Sequence, residues 1–299
     1  DHGEHYITRD KKEYWAMFYS AAGGGVLIAL MALFKTYLGS IIDDKVWKGI
    51  AEGLNYGLGF MVIFMLHFTV ATKQPAMTAA RFAEAVEKTP QGKTVNVKLA
   101  QLLVDVFRSQ SIAVLGNVLI AMGLAALIAF GYQYKTGEPL MNADQIAYQL
   151  HSIDPFAGTL WFAAIAGVWL FCSGIISGYF DNRSNYLNMR MRLAQHPLLK
   201  KLMSEKTRVK FANYMHENYG SLIGNLCFGM LLGITGVVGY LTHLPLDIRH
   251  VAFSSANVGY IAVSGQFTYS LLLQCIGFVL LIGLVNLIVS FSLTLWVAL

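Results

Sequence analysis

The sequence predicts an all-α polytopic membrane protein: six transmembrane helices as three tandem helical hairpins, with amphipathic interfacial helices in the cytoplasmic connections. Two observations carry that expectation. Only 13% of the 299 residues are charged and 56% are hydrophobic, whereas a soluble domain has roughly 25% charged residues. The apolar residues also gather into six blocks, each near the roughly 20 residues that a bilayer crossing requires.

The blocks run from Tyr14 to Leu38, Gly53 to Ala71, Ser111 to Tyr134, Phe156 to Phe180, Tyr219 to Leu241 and Phe267 to Leu299. A charge at the centre of a bilayer costs at least about 2.5 kcal/mol, and among Lys, Arg, His, Asp and Glu only Lys35 and His67 fall inside the blocks. Lys35 lies near a helix end, where it can snorkel. The first block is too long for a signal peptide and is not followed by a small-residue cleavage site. Asp1 in place of a starting Met suggests a processed chain or a piece of a longer one.

Orientation follows from Lys and Arg, which concentrate on the cytoplasmic side. The N-terminal tail has three, the connection 73–110 six and the connection 181–218 eight, which together make 17 of the 22. Both termini are therefore expected in the cytoplasm.

Internal echoes suggest the hairpins. Gly24-Gly25-Val26-Leu27-Ile28-Ala29 recurs as Gly116-Asn117-Val118-Leu119-Ile120-Ala121, and again as Gly224-Asn225-Leu226. The repeats are expected over 14–72, 111–180 and 219–299, all running in the same direction. In the two basic connections, Pro75 to Lys88 and Ser184 to Lys206 place apolar residues near helical spacing with charges between them, as interfacial helices do. The second connection has eight bases against three acids, a balance that suits anionic lipid.

The intramembrane polar residues are Asn55, His67, Asn117, Asn225, Gln274 and Asn286. They read either as interhelical hydrogen bonding, alongside the small-residue spacings Gly53/Gly57, Gly174/Gly178 and Gly229/Gly233, or as a polar path between repeats. Candidates for lipid or partner contact are Lys73, Gln74, Asp181, Arg183, Arg190, Arg192, Lys200 and Lys201. Asp247, Arg249 and His250 suggest an ordered outer turn, and the stretch after it, Ala252 to Val263, is apolar enough to re-enter the membrane. The three cysteines all sit in spans, so neither a disulfide framework nor a zinc site is indicated. No metal or cofactor is expected, and one intramembrane histidine falls short of the two axial ligands a transmembrane haem usually takes.

Several longer motifs carry a resemblance: Gly3-Glu4-His5-Tyr6-Ile7, Leu54-Asn55-Tyr56-Gly57-Leu58-Gly59-Phe60, Ala71-Thr72-Lys73-Gln74-Pro75-Ala76-Met77, Leu244-Pro245-Leu246-Asp247-Ile248-Arg249-His250-Val251 and Gly283-Leu284-Val285-Asn286. In these the chain resembles the bacterial membrane family catalogued as "site-specific recombinase", over the C-terminal membrane portion of longer members. The resemblance implies a Gram-negative source, and so a bacterial inner membrane, and DNA recombination. That chemistry needs a Ser or Tyr nucleophile with several Arg and His residues converging on one phosphate, and the sequence disperses its bases along helices instead.

From the residues themselves, the expectation is a non-enzymatic scaffold or envelope-biogenesis component that contacts anionic lipid or a cytoplasmic or envelope protein, with no nucleic-acid partner. The alternative is a translocator of lipid or neutral solute. A cleft between repeats favours the translocator, and a solidly packed bundle the scaffold.

Overall fold

The computed structural model describes residues 11–72, 93–265 and 267–298, and among these every regular element is helical. The main helices are α1 (Lys11–Ile41), α2 (Lys45–Met65), α3 (Lys93–Thr136), α4 (Ala143–Ile153) and α5 (Thr159–Tyr186). They continue with α6 (Met189–Gln195), α7 (Pro197–Leu202), α8 (Glu205–Thr242), α9 (Val251–Ala262) and α10 (Tyr269–Ala298). Local chemistry marks their starts. Asp44 accepts from the Val46 and Trp47 amides to open α2, Asn142 and Gln145 form a capping box on α4, and Ser204 caps α8.

Five helices are long and apolar enough to cross a membrane: α1, α3 from Phe107, α5, α8 and α10. The class expected from composition is therefore the class observed, but the expected second span, Gly53 to Ala71, is not among the five. Lys45, Lys48 and Glu52 occupy the first turns of α2, and the helix stops at Met65. It stops in a Schellman motif: the His67 amide donates to the Phe64 carbonyl and the Phe68 amide to that of Ile63, with His67 left-handed at φ 58. The chain then folds back into the bundle. The Thr69 amide donates to the Ser20 carbonyl of α1, and the Ser20 hydroxyl donates to the His67 carbonyl.

His67 is consequently an exposed residue at a helix terminus. The left-handed region costs a non-glycine residue about 1–2 kcal/mol. His67→Gly is expected to stabilise the protein by roughly 0.5–1 kcal/mol, read as a higher unfolding midpoint in detergent.

Small residues set the helix pairing. Gly24, Gly25 and Gly116 bring α1 and α3 together in parallel, such that a Cβ on Gly25 would press on the Asn117 carbonyl. The helices α2 and α8 cross antiparallel: Gly49 meets Val237, Gly53 meets Gly233 and Gly57 meets Gly229. Ser173 and Ser177 of α5 lie against Gly224 and Gly220 of α8, and Gly167 of α5 against Val289 of α10. In the Gly174/Gly178 spacing, Gly178 makes no such contact, since nothing lies within 4 Å of a Cβ added there.

This pairing departs from the three expected hairpins. The helix α3 packs on α1 and α9, and α5 on α8 and α10, so neighbours in sequence are mostly not the main neighbours in space. The connections differ too. Among the bases of 181–218, Lys206, Arg208 and Lys210 ride on α8 itself, which runs on as one helix from Glu205, and only the short α6 and α7 intervene. Lys73, Gln74 and the Pro75 to Lys88 helix lie outside the described residues.

The apolar stretch after His250 forms α9, a twelve-residue helix with nearly every residue buried. It starts in the middle of the bundle and runs back toward the end from which the chain came, where Tyr260 donates its hydroxyl to the Ala29 carbonyl at 2.7 Å. Packed on α1, α3 and α10, it has the form of a re-entrant half-helix.

Candidate functional site

Two asparagines organise the interior. Asn117 on α3 accepts from the Ala71 amide at 2.6 Å and donates to the carbonyls of Thr69 and of Ala21 on α1. Asn286 on α10 accepts from the Val251 amide at 3.1 Å and donates to the carbonyls of Arg249 and of Ala163 on α5. Each side chain thus grips residues i and i+2 at a chain break, Thr69 and Ala71 in one case and Arg249 and Val251, the first residue of α9, in the other, and ties them to a neighbouring helix. Both are fully buried.

The two clamps sit on elements that run in opposite directions. The helix α1 runs from the end holding Lys11 to the end holding Ile41, α2 returns, 66–72 folds back into the bundle, and α3 runs parallel to α1. Starting from the opposite end, α5, α8, the segment 243–250 and α10 do the same in reverse. The broken segments meet inside the bundle, where Thr72 Oγ1 lies 3.3 Å from His250 Nε2.

A cleft of about 580 Å³ lies on the Ile41 side of that meeting point, between α1, α2, α4, α8 and residues 247–257. Lys35 lines this cleft. It turns to Glu52 at 3.7 Å and lies 5.7 Å from the centre of the Tyr56 ring. Arg249 pairs with Asp247 at 2.6 Å and donates through Nε to the Ser152 carbonyl at 2.8 Å. Lys45 stands over the Tyr240 ring at 4.4 Å.

His250 forms part of the floor and is 1% exposed. Phe60, Phe228 and Phe253 surround its ring at 5.9–6.4 Å. On the side away from the cleft, Phe60 and Phe228 pack together at 5.0 Å. No carboxylate pairs with this imidazole among the described residues, and burial favours its neutral form.

The structure sorts the other sequence candidates. Asn55 donates to the Met31 carbonyl, joining α2 to α1. Asn225 donates to Ser221 on its own helix, and Gln274 is exposed on the outer face of α10. Neither Asn117 nor Asn286 lines the cleft; both hold the chain breaks that shape it. Asp181 lies within α5 and accepts from the Gly220 amide at 2.9 Å. Arg183, Arg190, Arg192, Lys200 and Lys201 are exposed, with Arg190 paired to Glu217 and Lys200 donating to Gln195. The supposed outer turn is folded inward: Asp247 and Arg249 flank the cleft, and His250 closes it.

Glu52 is the functional candidate that hydropathy missed, because it lies one residue before the expected span. Its signal was the spacing of Lys45, Lys48 and Glu52, which puts three charges on the first turns of one helix.

An all-helical membrane bundle with an interior polar cleft is the class that this geometry defines. Within that class, the chain belongs to the family described as Site-specific recombinase, whose model matches residues 1–299. No curated protein and no solved structure matches it.

Proposed function

We propose that this protein is a membrane translocator for a small uncharged polar solute, which moves between two halves of inverted topology. The observation that carries this reading is the repeated asparagine clamp, because it holds two broken segments from opposite ends of the bundle in contact at Thr72 and His250. Many transporters place their substrate at the interface of such inverted halves, on discontinuous helices. The cleft leads to that point. Four of the charges that line it pair off, Lys35 with Glu52 and Arg249 with Asp247, which leaves a lining better matched to an uncharged solute than to an ion.

A scaffold has no need of a polar cavity in its middle, since each buried polar group there costs free energy unless it is paired. The recombination in the family's description needs bases converging on one phosphate, but the described bases make separate local contacts. Exposed Arg183, Arg192 and Lys201 suit anionic lipid headgroups. Together with the excess of Lys and Arg in the tail and the two long connections, they favour both termini in the cytoplasm, and the resemblance to a bacterial family makes that membrane the inner one.

Vesicles containing the purified protein are expected to swell in glycerol or urea several-fold faster than protein-free vesicles. Gly236→Trp should abolish the difference, because Gly236 lines the cleft and has only Asp247 Oδ1, 4.0 Å away, near an added side chain. Equal swelling of protein-free and protein-containing vesicles with every probe would sink the proposal. For orientation, a cysteine placed at Lys200 should react with an impermeant reagent only from the cytoplasm, and one at Glu138 only from the other side. The opposite labelling pattern would invert the topology.

A further inference from the structure

The cleft ends on an imidazole whose two nitrogens are not equivalent. The Thr72 hydroxyl donates its one hydrogen to the Ala71 carbonyl. Toward His250 Nε2, at 3.3 Å, Thr72 Oγ1 can therefore act only as an acceptor. In the tautomer that matches this acceptor, Nε2 carries the ring hydrogen and Nδ1 is a bare lone pair. That Nδ1 is buried and has no hydrogen-bond partner among the described residues, which is a costly condition for a polar atom.

A lone pair of this kind calls for a donor. A cationic donor such as an ammonium is disfavoured, because the cleft is lined by Lys35, Lys45, Lys48 and Arg249 against Glu52, Asp144 and Asp247. An uncharged hydroxyl or amide N–H carries no such penalty. Tyr56, Ser254 and Asn257 lie in the same cleft and offer further donors and acceptors to such a molecule. Resting on the translocator reading, we infer that His250 is the recognition residue of the cleft, its Nδ1 accepting a hydrogen bond from an uncharged hydroxyl- or amide-bearing solute. Of the three rings around the imidazole, Phe253 lines the cleft, so a solute reaches the buried Nδ1 only as that ring yields.

Two measurements on the full chain in lipid vesicles test this separately. The first is swelling in glycerol and urea, which donate hydrogen bonds, against dimethyl sulfoxide, which does not. Wild-type protein should accelerate glycerol or urea but not dimethyl sulfoxide. His250→Phe, a ring that suits a cage of phenyl groups, should lower the gain at least tenfold without lowering the unfolding midpoint. His250→Gln, whose amide oxygen restores an acceptor, should recover part of it. The second is nitrogen NMR of ¹⁵N-histidine protein, with the His250 signals identified by their loss in His250→Phe. Nδ1 should be unprotonated, and its resonance should move with glycerol or urea but not with dimethyl sulfoxide.

If wild type and His250→Phe swell alike and faster than empty vesicles, translocation stands and His250 recognition falls. If the NMR response appears without any flux, recognition stands and translocation falls. A protonated Nδ1, or a resonance indifferent to both donor probes, overturns the inference outright.

Discussion

Gly229→Val is expected to prevent the bundle from assembling. A Cβ at Gly229 would fall on the backbone of Gly57 and Tyr56, and one at Gly233 on the backbone of Gly53. No rotamer change relieves a clash with main chain, so α2 and α8 must separate along their whole crossing. That loses the contact between Phe60 and Phe228 and opens the wall of the cleft. A loss of roughly 4 kcal/mol or more is expected, at the extreme of single substitutions, seen as aggregation on extraction or a collapsed unfolding midpoint in mixed micelles. Gly123→Ala and Gly277→Ala are the controls. Nothing lies within 4 Å of an added Cβ at either, and both should be neutral or slightly stabilising through helix propensity. Normal folding of Gly229→Val would mean that α2 and α8 do not cross there.

The second large effect is expected from Asn117→Leu and Asn286→Leu. Each substitution strips one buried amide of its acceptor and two carbonyls of a donor. The carbonyls of Ala21 and Ala163 lie inside helices, whereas Thr69 and Arg249 lie in the breaks. Two backbone groups per site are thus left exposed to the penalty, at about 1–3 kcal/mol each. Losses of about 2–5 kcal/mol are expected, similar for the two variants because the clamps match. Gln274→Leu, on an exposed face, should change stability by less than about 0.5 kcal/mol. A markedly different cost for Asn117→Leu and Asn286→Leu would argue against equivalent clamps.

The helices were legible in the sequence because length and apolar content alone decide which segments can cross a bilayer, and five of the six blocks became such helices. Gly53, Gly57, Gly229 and Gly233 were legible as contact residues for a related reason: small residues are what close approach requires. The path of the chain between helices was not. Hydropathy ran the second block through to Ala71, because Leu66, Phe68 and Val70 are apolar, and their composition does not reveal that the backbone turns left-handed at His67. The repeated Gly-Asn pairs aligned Asn117 with Asn225, two helices running in the same direction. The partner of Asn117 in geometry is Asn286, on a helix running the other way, with no local sequence likeness to betray it. The cleft was hidden for the same reason. It arises from residues far apart in the chain, Lys35, Glu52, Ser152 and Arg249, whose meeting depends on which helix faces pair.

The half-helix α9 begins at His250 with no side-chain cap, and Asn286 takes its first amide. The remaining amides of its first turn therefore carry their partial positive charge, equivalent to roughly half an elementary charge, into the middle of the bundle. In a low-dielectric interior that field is weakly screened. A potassium ion or a hydrated proton arriving at His250 would meet electrostatic repulsion just where it has shed most of its water, while a neutral molecule would meet only oriented dipoles. On the translocator reading, the same backbone that bends to shape the cavity would insulate it electrically, and a solute would cross without discharging the membrane potential.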